Sequence, residues 1–181
     1  ANKERIFAAI KQRLETLDQL SQTVASNDHI TADHATRLQN EYREVAQILE
    51  EARGAVEEAE TAKELREAVS EAFSEALVFP LRRPKTRLVL QSHSMVAKSK
   101  GMAGFGEHLE SIMERLAENG HDMAAAQAAL DGATSLIDEG RAIAAPVAEN
   151  VIDLDPKDWP DSATKSALNQ GHTDLQNAKQ Q

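Results

Sequence analysis

Six basic side chains, Arg82, Arg83, Lys85, Arg87, Lys98 and Lys100, lie between Phe79 and Gly106 with no acidic residue among them. The whole chain has 20 Lys+Arg against 30 Asp+Glu, a formal net charge of −10, so everything outside this segment sums to −16 (−10 minus +6). Arginine presents a planar fork of donors that matches phosphate and carboxylate. Arg82, Arg83, Lys85 and Arg87, set about Pro80 and Pro84, are therefore the candidate binding residues. The ligand they would suit is a phosphate, a sulfated or teichoic polymer, or a lipid headgroup. A charge run more often pairs within its own protein or faces solvent. A partner is available, because the stretch 41–76 carries eleven Glu against four basic residues. Internal pairing is the ordinary outcome that the ligand reading has to beat.

Metal and catalytic chemistry are poorly supplied. A carboxylate-bridged two-metal bundle needs Glu-x-x-His on two helices. The one such spacing, Glu118 to His121, straddles the Asn119-Gly120 stop. Asp153, Asp155, Asp158 and Asp161 could gather around calcium, but the glycine and closing glutamate of an EF-hand are missing. Asp155 and Asp161 read better as helix caps. His93 and His108 are fifteen residues apart on one expected helix, about 22 Å by helical rise. His29, His34 and His121 fall at expected helix ends, and His172 stands alone. Ser92, His93 and Ser94 are immediate neighbours and point apart on a helix, which excludes a hydrolase triad there. Gly101, Gly104 and Gly106 follow no strand, so they form no nucleotide loop. With no cysteine in the chain, disulfides, thiolate metal sites and cysteine catalysis are excluded together. The expectation is a non-enzyme without metal or cofactor.

The elements that would carry these residues are helices. Apolar residues make 41% of the chain but aromatic ones only 3%, and alanine-rich, slim helices pack side by side. From Lys3 to about Ala25, Ile6, Ile10, Leu14, Leu17 and Val24 form one stripe. Thr31 is the expected cap of a second helix, running to Glu60 over roughly 45 Å. Its residues Leu38, Tyr42, Val45, Leu49, Ala52, Val56 and Ala59 alternate in steps of four and three, the spacing of a coiled-coil seam. Such a seam can meet a neighbour in the same chain or a second copy. Thr61 and Glu64 form a capping box that opens a third helix, with Leu65, Ala68 or Val69, Ala72 or Phe73, and Leu77 inward.

Pro80 and Pro84 predict an extended or kinked joint from Phe79 to Arg83. A fourth helix follows from Lys85, with Leu88, Met95, Met102, Leu109, Met113 and Leu116 on its inner face. Met95, Met102, Phe105 and Met113 are expected in the core, rather than lining a pocket for an apolar ligand. Asn119-Gly120 ends that helix and Asp122 caps the fifth, in which Pro146 should introduce a kink. Asp155-Pro156 opens a short turn around Trp159. After Pro160 the chain is polar, with Leu168 and Leu175 as its large apolar residues, and predicts a marginal helix or frayed tail.

In order, "HITADHATRLQNEY", "TAKELREAV", "FPLRRPKTRLVL", "NGHDMAAAQAALDGATSLIDEGRAIAAPVAENVIDLDPKDWP" and the helical tail resemble alanine-rich, secreted helical-bundle proteins of bacteria. That resemblance covers nearly the whole chain and implies an exported, cell-surface or extracellular bundle; it implies no activity and carries over no site residues. No run approaches the length of a membrane span, and the acidic balance repels nucleic acid. The expected fold is an all-α, elongated antiparallel bundle of four to five long helices over 1–160, with a polar helix or tail over 161–181. The expected function is a non-enzymatic structural or interaction role at the cell envelope, toward a protein or envelope-polymer partner. The alternative is a bundle holding an anionic or apolar small molecule near the joint.

Overall fold

The computed structural model describes residues 2–159 and 161–181, less the side chains of residues 2 and 71. The fold is an all-α bundle. The described residues form six α-helices, α1 (Asn2–Ala25), α2 (Ala32–Glu58), α3 (Ala62–Ala76), α4 (Arg83–Glu118), α5 (Ala124–Ile152) and α6 (Ser162–Ala178), and no strand. The chain packs largely in order: α1 lies on α2 and α2 on α3, while α4, α5 and α6 pack on one another.

The four-three stripe of α2 is the main buried seam. Leu38, Tyr42, Val45, Leu49, Ala52 and Val56 are all buried within the chain, beside Ile10, Leu17 and Val24 of α1. The residues that could have faced a second copy thus meet the chain's own helices. Thr31 Oγ1 accepts from His34 N, and the Thr61–Glu64 capping box is complete in both directions. Gly120 takes φ +85°, Gly120 N bonds Ala117 O at 2.9 Å and His121 N bonds Leu116 O at 3.1 Å. This pair of bonds is the Schellman closure that a left-handed glycine permits.

Of the extended or kinked joint expected, the structure shows no extended stretch but a sharp turn followed by a widened helical one. Leu77 turns the chain in the left-handed region (φ 32°, ψ 39°), and Val78–Arg82 then form a wide helical turn. Arg82 N bonds Leu77 O at 3.1 Å, five residues back, and this widened ring runs straight into α4. Pro84 sits in the first turn of α4, directly after the i to i−5 bonds of the widened turn, which ends the ladder where proline supplies no N–H. Arg83 therefore remains helical (φ −63°, ψ −48°) despite the proline after it.

Of the helix or tail expected over 161–181, the structure shows the helix, and it is packed into the core rather than marginal. It spans 17 residues, of which Thr164, Leu168, Gly171, Leu175 and Ala178 are buried. A Cβ on Gly171 would lie 3.2 Å from Val147 Cγ1 and 3.3 Å from Leu88 Cδ1. The small residue is what lets α6 approach both α4 and α5. Only two of the five buried positions are large and apolar, so the segment reads as polar although it is part of the core.

Candidate functional site

The four candidate binding residues separate by helical phase. Arg82 and Lys85 turn inward and are buried, whereas Arg83 and Arg87 are exposed. Arg82 Nη1 donates to the carbonyls of Glu75, at 2.9 Å, and Ala76. These are orphan acceptors at the end of α3, so the guanidinium caps that helix. Its Nε lies 3.1 Å from Glu41 Oε1. Both atoms are buried and out of hydrogen-bonding alignment, which makes the contact ionic. Lys85 Nζ meets the other oxygen, Glu41 Oε2, at 2.6 Å, and donates to Leu154 O at 3.2 Å. Burial lowers the proton affinity of both cations, and the Glu41 carboxylate opposes that shift. Arg82 and Lys85 therefore form an internal ion-pair triad with Glu41, the internal pairing that the ligand reading has to beat.

Next to this triad, Tyr42 Oη hydrogen-bonds Thr86 Oγ1 at 2.5 Å, and Thr86 Oγ1 donates to Arg82 O at 2.7 Å. Burial pushes the Tyr42 hydroxyl well above its ordinary titration range. Further polar links join the start of α2 to the second half of the chain. His34 Nδ1 lies 2.8 Å from His93 Nε2, His34 Nε2 lies 3.2 Å from Glu149 Oε1, and Arg37 pairs with Asp153. Hydrogen bonds and ion pairs account for all of these groups, and no nucleophile completes the histidine chain. No group of three metal-ligating side chains occurs among the described residues.

Arg83 and Arg87 look onto a cleft of about 570 Å³ between α4 and α6. Lys165 and His172 of α6 and Trp159 also line it. Lys165 Nζ is 5.2 Å from the centre of the Trp159 ring. Lys165 was not singled out in the sequence, and His172 and Trp159 were read only as a lone histidine and a turn residue, because they lie in or beside the segment expected to be a polar helix or tail. The available signal was the spacing 165, 168, 172, one face of a helix.

The far part of α4 overturns another expectation. Met102 and Phe105 are 55% and 63% exposed, so neither belongs to the core. With Leu109, they line one side of an open groove completed by Leu130 and Ile137 of α5. Lys98, Met102, Phe105, Leu109, Ile112 and Leu116 continue the four-three spacing along α4. No third helix is identified against that stripe; the contacts of this arm are dominated by α4 with α5. From Gly101 to Glu139 the arm has eight acidic residues (Glu107, Glu110, Glu114, Glu118, Asp122, Asp131, Asp138, Glu139) and one arginine, Arg115. Its charge, −8 + 1, is thus −7.

Compared with protein families, with curated proteins and with solved structures, the chain matches none.

Proposed function

We propose that this chain is a non-enzymatic interaction protein of the cell envelope, and that its α4–α5 arm docks a basic amphipathic helix of a partner protein. The observation that carries this reading is the open stripe of Met102 and Phe105 on an arm of charge −7. An apolar four-three stripe is the surface a third helix covers by knobs-into-holes packing. The arm's acidity selects what that helix carries on its flanks, because like charges repel a second acidic arm. Gly101 and Gly104 leave open space where a Cβ would stand, which lets a partner backbone come close. Export to the envelope is supported by the resemblance of the segment order and fits the absence of cysteine.

Two synthetic helices of about three heptads test it, both with Leu and Ile at the seam positions, one flanked by Lys and one by Glu. The Lys-flanked peptide should bind with roughly micromolar affinity, more weakly as salt rises. Binding should be lost in Met102→Glu/Phe105→Glu, whose sites are already exposed. Equal binding of both peptides, or of neither, overturns the reading. So does a concentration-dependent dimer in light scattering that the same double variant abolishes, since the occupant would then be a second copy.

A further inference from the structure

We infer that the α4–α6 cleft is a binding site for a phosphate monoester bearing an apolar chain or ring. It is separate from the arm, and its components have two kinds of chemistry. Arg83 and Arg87 are one turn apart on α4 and Lys165 faces them from α6, so facing rows of the two helices bring three cations to the same space, with the His172 imidazole, 3.0 Å from the Gln176 amide nitrogen, two turns along from Lys165. No carboxylate lines that space among the described residues. Among the described residues none of the three cations has an acidic partner within ion-pair distance, in contrast to Arg82 and Lys85 a residue or two away. In a chain of net charge −10 with 30 acidic residues, cations that converge without a carboxylate leave an electrostatic vacancy that an anion fills.

The floor has the other chemistry. Leu88 and Leu168 are 4% and 9% exposed at its base, and Phe79 and Trp159 lie along its sides. Two guanidinium forks suit the oxygens of a phosphate. A phosphate monoester carries about −1.5 to −2 charge at neutral pH and so uses more of the cationic rows than a carboxylate does. A cleft of about 570 Å³ falls within the usual span for small-molecule sites and admits a chain of several carbons beside the headgroup. Trp159 holds Lys165 by its ring face, which aims the ammonium rather than leaving it to sweep through solvent.

Isothermal titration with octyl phosphate below its micelle concentration tests the inference, with inorganic phosphate and the neutral octyl glucoside as comparisons. Octyl phosphate should bind at least tenfold more tightly than either. Arg83→Ala/Arg87→Ala should weaken it by tenfold or more, Lys165→Ala should weaken it severalfold, and Arg115→Ala, on the arm, should leave it unchanged. Circular dichroism should show the exposed-site variants folded. Absence of octyl phosphate binding overturns the inference, as does binding that survives the Arg83/Arg87 double variant. Inorganic phosphate binding equally well removes the apolar half of the site and overturns it too. Flotation with phosphatidic acid vesicles identifies the source: binding to both vesicle and monomer points to a lipid headgroup, and binding to the monomer alone to a soluble ester. Octyl phosphate binding is indifferent to Met102→Glu/Phe105→Glu, so this inference and the docking reading fail separately.

Discussion

His34 and His93 join α2 to α4 through facing ring nitrogens, Nδ1 to Nε2, at 2.8 Å, with the rings edge to face. One nitrogen must donate and the other accept. Because His34 Nε2 also reaches Glu149 Oε1 at 3.2 Å, the neutral pair is satisfied when His93 donates to His34 and His34 donates to Glu149.

A pH dependence follows. Burial, and then His34, lower the proton affinity of His93 below its ordinary value, against the pull of Glu149. The unfolded chain then binds the proton more readily, so stability is full above about pH 6.5 and falls as pH drops through that value toward the lowered folded one. Thermal melting should decline from pH 7.5 to pH 5, and His93→Gln should flatten the decline. Parallel profiles for the two proteins would sink the idea.

Among the described residues Glu41 is the sole carboxylate in direct contact with Arg82 and Lys85, whose side chains are 5% and 3% exposed. Glu41→Gln should destabilise by about 3 kcal/mol, since it strands two buried cations. Lys85→Met in the Glu41→Gln background should restore a part of that. Urea melts that place Glu41→Gln within about 0.5 kcal/mol of wild type would show that solvent already screens the triad.

The docking of α6 depends on Gly171. Leucine there must displace Val147 and Leu88, whose methyls lie 3.2 and 3.3 Å from the Cβ position, at a cost of about 1–3 kcal/mol. Hydrogen exchange should then speed up across α6 before the rest of the bundle. Leu175→Ala should cost about 2–5 kcal/mol at its buried site. Unchanged α6 protection in Gly171→Leu would mean that the helix is held elsewhere.

At the start of α3, Thr61 Oγ1 accepts from Glu64 N at 3.2 Å, while Glu64 Oε2 accepts from Thr61 N at 3.1 Å. Thr61→Ala should cost about 1 kcal/mol. In a chain of this size that is roughly 2–4 °C in melting temperature, and a smaller shift would mean that water replaces the cap.

Regular period made parts of this fold legible. The α2 seam from Leu38 to Val56, the Thr61 box and the Gly120 stop can all be read as spacing and residue type. The α6 seam was illegible because Thr164, Gly171 and Ala178 are not large apolar residues, yet their small size is what permits the packing. Met102 and Phe105 read as core because periodicity identifies a stripe but not whether another helix covers it. At the joint, the composition marked the cationic segment. It could not divide Arg82 and Lys85 from Arg83 and Arg87, because the prolines suggested a break where the helical phase continues through a widened turn.

The polar contacts of α2 have a collective consequence. His34, Arg37, Glu41 and Tyr42 stand within little more than two turns, and each meets a specific partner: His93 with Glu149, Asp153, Arg82 with Lys85, and Thr86. Apolar ridges can slide by one turn and still find apolar grooves. A slip of α2 by one turn would misalign all four sets of partners together and leave buried charges unmatched. These contacts therefore act as a register key, fixing how far along its axis α2 sits against α4 and α5, and so how the first three helices are set relative to the cleft and the arm.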